Sequence, residues 1–244
     1  MKKHIPNLFT LFNLSFGFLS VVLVLNNCIV YAGYLIFVAS IFDFLDGFLA
    51  RKLNVNSELG EHLDSLADLI SFGVAPAIVL YSYLKQLISE NSSQENWRYL
   101  ALVVVLIPVM SAIRLAMFNI DKQQKNEFLG LPTPANALFF TSLVVYLNTA
   151  NLLFINDTSV FYLLIGLTIV FSLLLIYPTP YFSLKFTSFI WVENKIKFIF
   201  IFISAILLCI SIFFDAVILS MSIIILLYMI ISFINNLIFK TNEI

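Results

Sequence analysis

Between Ile5 and Phe42 the sequence carries no charged residue, and the stretch from Phe128 to Asn156 is equally bare. Apolar runs of this length belong in a bilayer, where a crossing helix needs about 20 residues to span a hydrocarbon core of about 30 Å. Composition agrees, since 61% of the 244 residues are hydrophobic and 11% are charged, against about 45–50% and about 25% in soluble domains. Once the spans are assigned, nothing is left over for a water-soluble domain.

The apolar runs divide where turn and breaker residues fall. Asn26-Asn27 and Gly33 interrupt the first run, which splits into helices over about 7–26 and 31–52. A third helix is expected from near Gly60 to about Leu87, followed by the polar loop SENSSQENW. A fourth covers about Trp97 to Asn119 and ends at the charged connector DKQQKNE. Pro132 and Pro134 suit the first turn of a fifth helix. Pro178 and Pro180 stop a sixth that covers about 158–177. FSLKFTSFIWVENKIK then looks interfacial. From Phe198 to Phe239 only Asp215 is charged, and a single helix of that length would reach about 63 Å, so two helices meeting near Asp215 are expected.

The expected fold is therefore an all-α, polytopic membrane bundle of about eight helices. Six fall within residues 1–180, followed by a connector at 181–197 and a C-terminal hairpin at 198–244. The basic start of MKKHIPNLFTLFNLSFGFLSVVLVL resembles a signal peptide, but its apolar run is too long and lacks a small-residue cleavage site, so it reads as a retained first helix. With the N-terminus cytoplasmic, Lys2, Lys3, Arg51, Lys52, Lys122, Lys125, Lys185, Lys195, Lys197 and Lys240 fall inside and only Lys85 and Arg98 outside. This bias puts both termini in the cytoplasm and the protein in the cytoplasmic membrane. A seven-helix division would move Lys240 outward. The formal net charge of −1 gives no footing for nucleic-acid binding. Cys28 and Cys209 match no metal-ligand spacing and read as small core residues.

Against this background the segment DFLDGFLARKLNVNSELGEHLDSLADLISFG gathers Asp43, Asp46, Asp64 and Asp68. On a helix advancing about 100° per residue, Asp43, Asp46, Gly47 and Ala50 share one stripe, and Asp64 and Asp68 another, with Gly60 a turn before. A short loop makes the two helices antiparallel neighbours, so the stripes can face each other at the cytoplasmic membrane surface. A single aspartate within a span costs at least about 2.5–3.5 kcal/mol, and four repel one another. Arg51 alone cannot neutralise them. An all-oxygen ligand set without cysteine selects a hard cation, Mg²⁺ or Mn²⁺, and two ions would balance four carboxylates. Such a site suits chemistry on a phosphate-bearing substrate. Small Gly47, Ala50 and Gly60 would let a bulky ligand lie against the backbone. The competing reading is a solvated loop with helix-terminal charges, which the placement of Asp43 and Asp46 inside an apolar span opposes.

The pattern from Asp43 through Asp46-Gly47, Ala50-Arg51, Gly60 and Asp64 to Asp68 resembles, without departure, the signature of the CDP-alcohol phosphatidyltransferases. That resemblance implies a six-helix membrane enzyme in which an alcohol's hydroxyl displaces CMP from a CDP-linked lipid or alcohol. It implies a two-metal site on the four aspartates, Asp68 as general base, CDP contacts at Gly47, Ala50, Arg51 and Gly60, and a homodimer. Three further segments, IPNLFTLFNLSFGFLS, IRLAMFN and FLGLPTPANA, resemble the serine branch of the family, which transfers phosphatidyl groups from CDP-diacylglycerol to L-serine. Asn7 and Thr10 are candidates for the nucleotide site, or helix caps at the membrane edge. Arg114 either enters the polar cavity, to hold a phosphate or the carboxylate of serine, or snorkels to the surface. Gly130 and Pro132 belong either to a rigid helix entry or to the acceptor pocket. Where that branch often carries a second basic residue, this chain has Met117. Other readings are the same chemistry with glycerol 3-phosphate or an inositol phosphate, and a divalent-cation transporter, although no second half echoes the acidic cluster.

Overall fold

The computed structural model describes residues 4–55, 57–90, 97–120, 128–150, 156–182 and 191–241. The loops expected after the third and fourth helices, and Lys2, Lys3, Lys122, Lys125 and Lys185 of the charge count, lie outside them. Among the described residues eight long helices follow one another: α1 (Ile5–Leu25), α2 (Ile29–Lys52), α3 (Glu58–Ser89), α4 (Trp97–Ile120), α5 (Thr133–Thr149), α6 (Asp157–Ile176), α7 (Trp191–Phe213) and α8 (Val217–Thr241). The protein is a polytopic all-α membrane bundle. Seven of these helices are long and apolar enough to cross a bilayer; α5, with 17 residues, reaches about 25 Å.

Local chemistry sets the helix ends. Pro6 sits in the first turn of α1, where its missing N–H costs nothing. Ser57 caps α3 by accepting the Gly60 N–H at 3.1 Å, with Glu58 and Glu61 in the same turn. Asn156 caps α6 by accepting the Thr158 N–H at 3.0 Å. Three of the helix ends reverse through left-handed residues of the type that tolerates this region, Asn27 (φ 60), Asn54 (φ 51) and Asp215 (φ 51). The sequence breaks at Asn27 and Asp215 are thus two of the turns.

The most buried of the candidate spans is α3, which packs against α1, α2, α4, α5 and α6. Close packing in lipid relies on small residues. Ser20 of α1 donates to the Ala32 carbonyl of α2 at 2.8 Å, and Gly33 of α2 lies so near α5 that a Cβ would stand 2.3 Å from Val145 Cγ2. Aromatic stacking joins the later helices, with Trp97 on Phe161 at 4.2 Å and Phe139 on Phe171 at 4.0 Å.

Several features depart from a plain bundle. Residues Leu69–Val74, directly after Asp68, form a π-helical turn within α3, and Ala101–Val105 of α4 is 3₁₀. Phe128–Leu129 (β1) pairs antiparallel with Pro180–Tyr181 (β2), tying the entry of α5 to the exit of α6. Helix α7 begins at Trp191 and kinks at Asn194, so the end of the expected interfacial segment continues into a span; residues 183–190 are not described. Cys209 is exposed rather than in the core, because an apolar bilayer takes a small thiol on the outer face of α7 as readily as a protein core does.

Candidate active site

The C-terminal half of α2 brings Asp43 and Asp46, and the N-terminal third of α3 brings Asp64 and Asp68, to one end of the bundle. Carboxylate oxygens of Asp43, Asp64 and Asp68 lie within 4.8 Å of one another. Asp46 stands beside this trio, near Asp64, and is only 6% exposed. Asp46 Oδ2 and Asp64 Oδ1 are buried and have no hydrogen-bond partner among the described residues. Unpaired, desolvated carboxylate oxygens are costly, and oxygen-only donors at this spacing fit a hard divalent cation.

Asp68 is held from a second helix. The Asn13 side-chain amide of α1 donates to Asp68 Oδ1 at 3.2 Å, and the Ser71 hydroxyl in the π-turn donates to the Asn13 carbonyl at 2.9 Å. Gly17 makes this approach possible, because a Cβ there would fall 2.2 Å from Ser71 Oγ and 2.7 Å from its Cα. Asn13 is not among the site residues expected from the sequence. Its signal was a polar stripe of Asn7, Thr10, Asn13 and Gly17 spaced by three and four along an otherwise apolar helix.

Beside the carboxylates opens a cleft of about 120 Å³ lined by Asn7, Thr10, Asp46, Gly47, Ala50, Gly60 and Asp64 together with Pro6, Val55, Ser57 and Glu61. Three helices therefore contribute both small residues and acceptors to one wall. A Cβ on Gly60 would stand 2.9 Å from Ser57 Oγ and 3.2 Å from Asn7 Oδ1, narrowing the cleft. The Arg51 guanidinium lies over Gly47, with Nη1 3.4 Å from the place of a Cβ. A bound anion could meet it there.

Arg114 of α4 is 9% exposed, its Nε has no partner among the described residues, and it lies within electrostatic reach of Asp68 and of Tyr228 in α8. It points inward rather than snorkelling. A second cavity of about 50 Å³ is lined by Arg114, Met117, Phe118, Leu129, Leu175, Ile176 and Pro178. Neither Gly130 nor Pro132 is part of this lining, although Leu129, next to Gly130 in the chain, is. Gly130 has φ +82, its N–H donates to the Thr179 carbonyl at 2.9 Å, and a Cβ would meet the Leu175 carbonyl oxygen at 2.3 Å. Pro132 is the N-cap of α5.

The sequence pattern of CDP-alcohol phosphatidyltransferases matches residues 3–175, which takes in α1 to α5, α6 but for its last residue, the aspartate cleft, and the lining of the Arg114 cavity except Ile176 and Pro178. The chain belongs to the CDP-alcohol phosphatidyltransferase family. Within this family it is similar to an archaetidylserine synthase of Methanothermobacter thermautotrophicus, 36% identical over 57% of this chain and 56% of that protein. It is also similar to proteins named CDP-diacylglycerol–serine O-phosphatidyltransferase. The one from Helicobacter pylori is 35% identical over 64% of this chain and 63% of its own length, and the one from Methanocaldococcus jannaschii is 37% identical over 73% and 71%. The matched stretch thus spans a little over half of the first of these relatives. Helices α7 and α8 of this CDP-alcohol phosphatidyltransferase family member lie beyond the family pattern.

Proposed function

We propose that the protein transfers the phosphatidyl group of CDP-diacylglycerol to the hydroxyl of L-serine, giving phosphatidylserine and CMP. The observation that carries this reading is the gathering of four aspartates, of which Asp46 and Asp64 line a cleft built from Asn7, Thr10, Gly47, Ala50 and Gly60. The relatives add the acceptor. Their names differ in the lipid, phosphatidyl or archaetidyl, and agree on serine.

Asp43, Asp46, Asp64 and Asp68 would hold two divalent cations, Mg²⁺ or Mn²⁺. When bound, such ions neutralise charge on the diphosphate and orient the groups that exchange. The chain's own residues do the rest. The cleft takes the CDP moiety, with Arg51 toward the phosphates. The serine hydroxyl oxygen attacks the phosphatidyl phosphorus, the bond from that phosphorus to CMP breaks, and the hydroxyl proton passes to the Asp68 carboxylate. Asn13 fixes the orientation of that carboxylate, so little reorganisation is needed when the proton moves.

Arg114 would receive the serine carboxylate from the other side of Asp68, with Gly130 and Pro132 shaping the pocket edge. Among the described residues Arg114 is the only buried cation. A phosphorylated acceptor carries more negative charge and would call for a denser cationic pocket, which favours serine over glycerol 3-phosphate or an inositol phosphate. Residues 1–180 would form the catalytic core, 181–197 the connector and 198–244 an added hairpin. The site would face the cytoplasm from the cytoplasmic membrane, with both termini on that side and the chain a homodimer.

The test is an acceptor screen with purified protein, CDP-diacylglycerol and Mn²⁺ or Mg²⁺. Labelled serine should enter lipid as CMP is released. Release driven by glycerol 3-phosphate or inositol phosphate, with none from serine, would overturn the choice of acceptor.

A further inference from the structure

The cavity that contains Arg114 takes part of its wall from beyond the end of α6. Pro178 belongs to a strap, residues 177–182, that follows α6, and β2 within that strap is bonded along both edges. One edge faces β1, through Thr179 and the register Phe128↔Tyr181. The other edge faces α8. Tyr228 Oη donates to the Phe182 carbonyl at 3.0 Å, and Asn236 Nδ2 donates to the Pro180 carbonyl at 2.6 Å. Carbonyls alternate in direction along a strand, so Pro180 and Phe182 turn their oxygens to α8 while Thr179 turns its oxygen to β1. Tyr228 also stacks on Tyr181 at 5.6 Å and meets Phe182 edge-on at 4.9 Å, with Phe200 of α7 at 5.9 Å.

Helix α8 is already seated on α5, where Ser222 donates to the Phe139 carbonyl at 3.1 Å. Anchoring it needs no bond to the strap. Yet Tyr228 and Asn236 donate to strap carbonyls, and Tyr228 lies within electrostatic reach of Arg114. We propose that Tyr228 and Asn236 are positioning residues: they hold the strap in the place that closes the Arg114 cavity, and so set how tightly the acceptor alcohol is held. The assignment rests on the reading of Arg114 as the acceptor's contact. It gives the C-terminal hairpin, which the family pattern leaves out, a share in substrate affinity.

Tyr228→Phe keeps the ring stack and removes only the hydroxyl; Asn236→Leu keeps the volume and removes the amide. In the purified full-length chain, each should raise the acceptor KM about fivefold, the worth of one neutral hydrogen bond. KM for CDP-diacylglycerol and kcat should stay within about twofold of the parent, since only acceptor binding is loosened. The Tm of Tyr228→Phe should follow the parent closely. An unchanged acceptor KM in the double variant would overturn the inference, and so would a joint change of all three parameters tracking a lower Tm, which would make α8 an anchor only. Should the parent chain accept another alcohol and refuse serine, the serine reading fails, while the KM for that alcohol decides this inference in the same way.

Discussion

Asn13 Nδ2 lies 3.2 Å from Asp68 Oδ1, so the innermost carboxylate of the third helix is gripped by the first. The same asparagine takes the Ser71 hydroxyl on its backbone carbonyl, which couples the grip to the π-turn that follows Asp68. Partners that orient a ligating or catalytic carboxylate commonly contribute 10–100-fold to affinity or activity. Asn13→Ala is therefore expected to lower kcat by about tenfold or more, with the protein still folded. The steady-state rate of CMP release, beside a melting curve in detergent, checks this.

Gly17 and Gly166 make a matched pair. A Cβ on Gly17 would press on the Ser71 backbone, while nothing lies within 4 Å of one on Gly166. Gly17→Ala should destabilise by about 1–3 kcal/mol, the usual cost of overpacking. Gly166→Ala, in the middle of α6, should stabilise by about 0.5–1 kcal/mol through reduced backbone entropy. Paired thermal unfolding measurements would show the two shifts with opposite sign.

Gly130→Ala combines two faults, a left-handed backbone and a collision with the Leu175 carbonyl oxygen. Backbone cannot step aside as a side chain can. A loss of at least about 1–3 kcal/mol follows, visible as a lower Tm. Because Leu129, next to Gly130, and Leu175, which the added Cβ would strike, both line the Arg114 cavity, the acceptor KM should rise in whatever fraction remains folded.

The carboxylates give a prediction for metal removal. Chelation should stop CMP release, and added Mg²⁺ or Mn²⁺ should restore it. Asp46 lies beside the trio rather than within it. Asp46→Asn should therefore keep binding one ion while raising the metal concentration needed for half-maximal rate, whereas Asp64→Asn, inside the trio, should lower the stoichiometry and abolish turnover. Isothermal titration with Mn²⁺ beside the rate measurement separates the two.

Much of this was legible in the chain because lipid leaves few choices. Uncharged runs must be helices, and Asn27 and Asp215 mark reversals because those side chains tolerate the left-handed region. The spacing of Asp43, Asp46, Asp64 and Asp68 placed them on facing stripes by helical period alone. Asn13 was harder to see, since an asparagine within a span looks like one more packing residue until its partner 55 positions away is known. The π-turn at Leu69–Val74 has no pattern of its own in the letters LISFGV. Nor could the sequence reveal that Leu129 pairs with Pro180, because two-residue strands carry no periodicity. The bonds from Tyr228 to Phe182 and from Asn236 to Pro180 are equally hidden, because each joins residues far apart in the chain.

The central claim is that the four aspartates form a catalytic centre with Asp68 as the proton acceptor. CMP release from CDP-diacylglycerol, with serine and Mn²⁺, by the parent chain and by Asp68→Asn at equal folded concentration tests it most directly. The account predicts release by the parent and a loss of at least about 10³-fold in the variant, as expected when an essential base and ligand is removed. Undiminished release by Asp68→Asn, above all together with loss of divalent-cation flux in liposomes, would contradict it and favour an ion pathway instead.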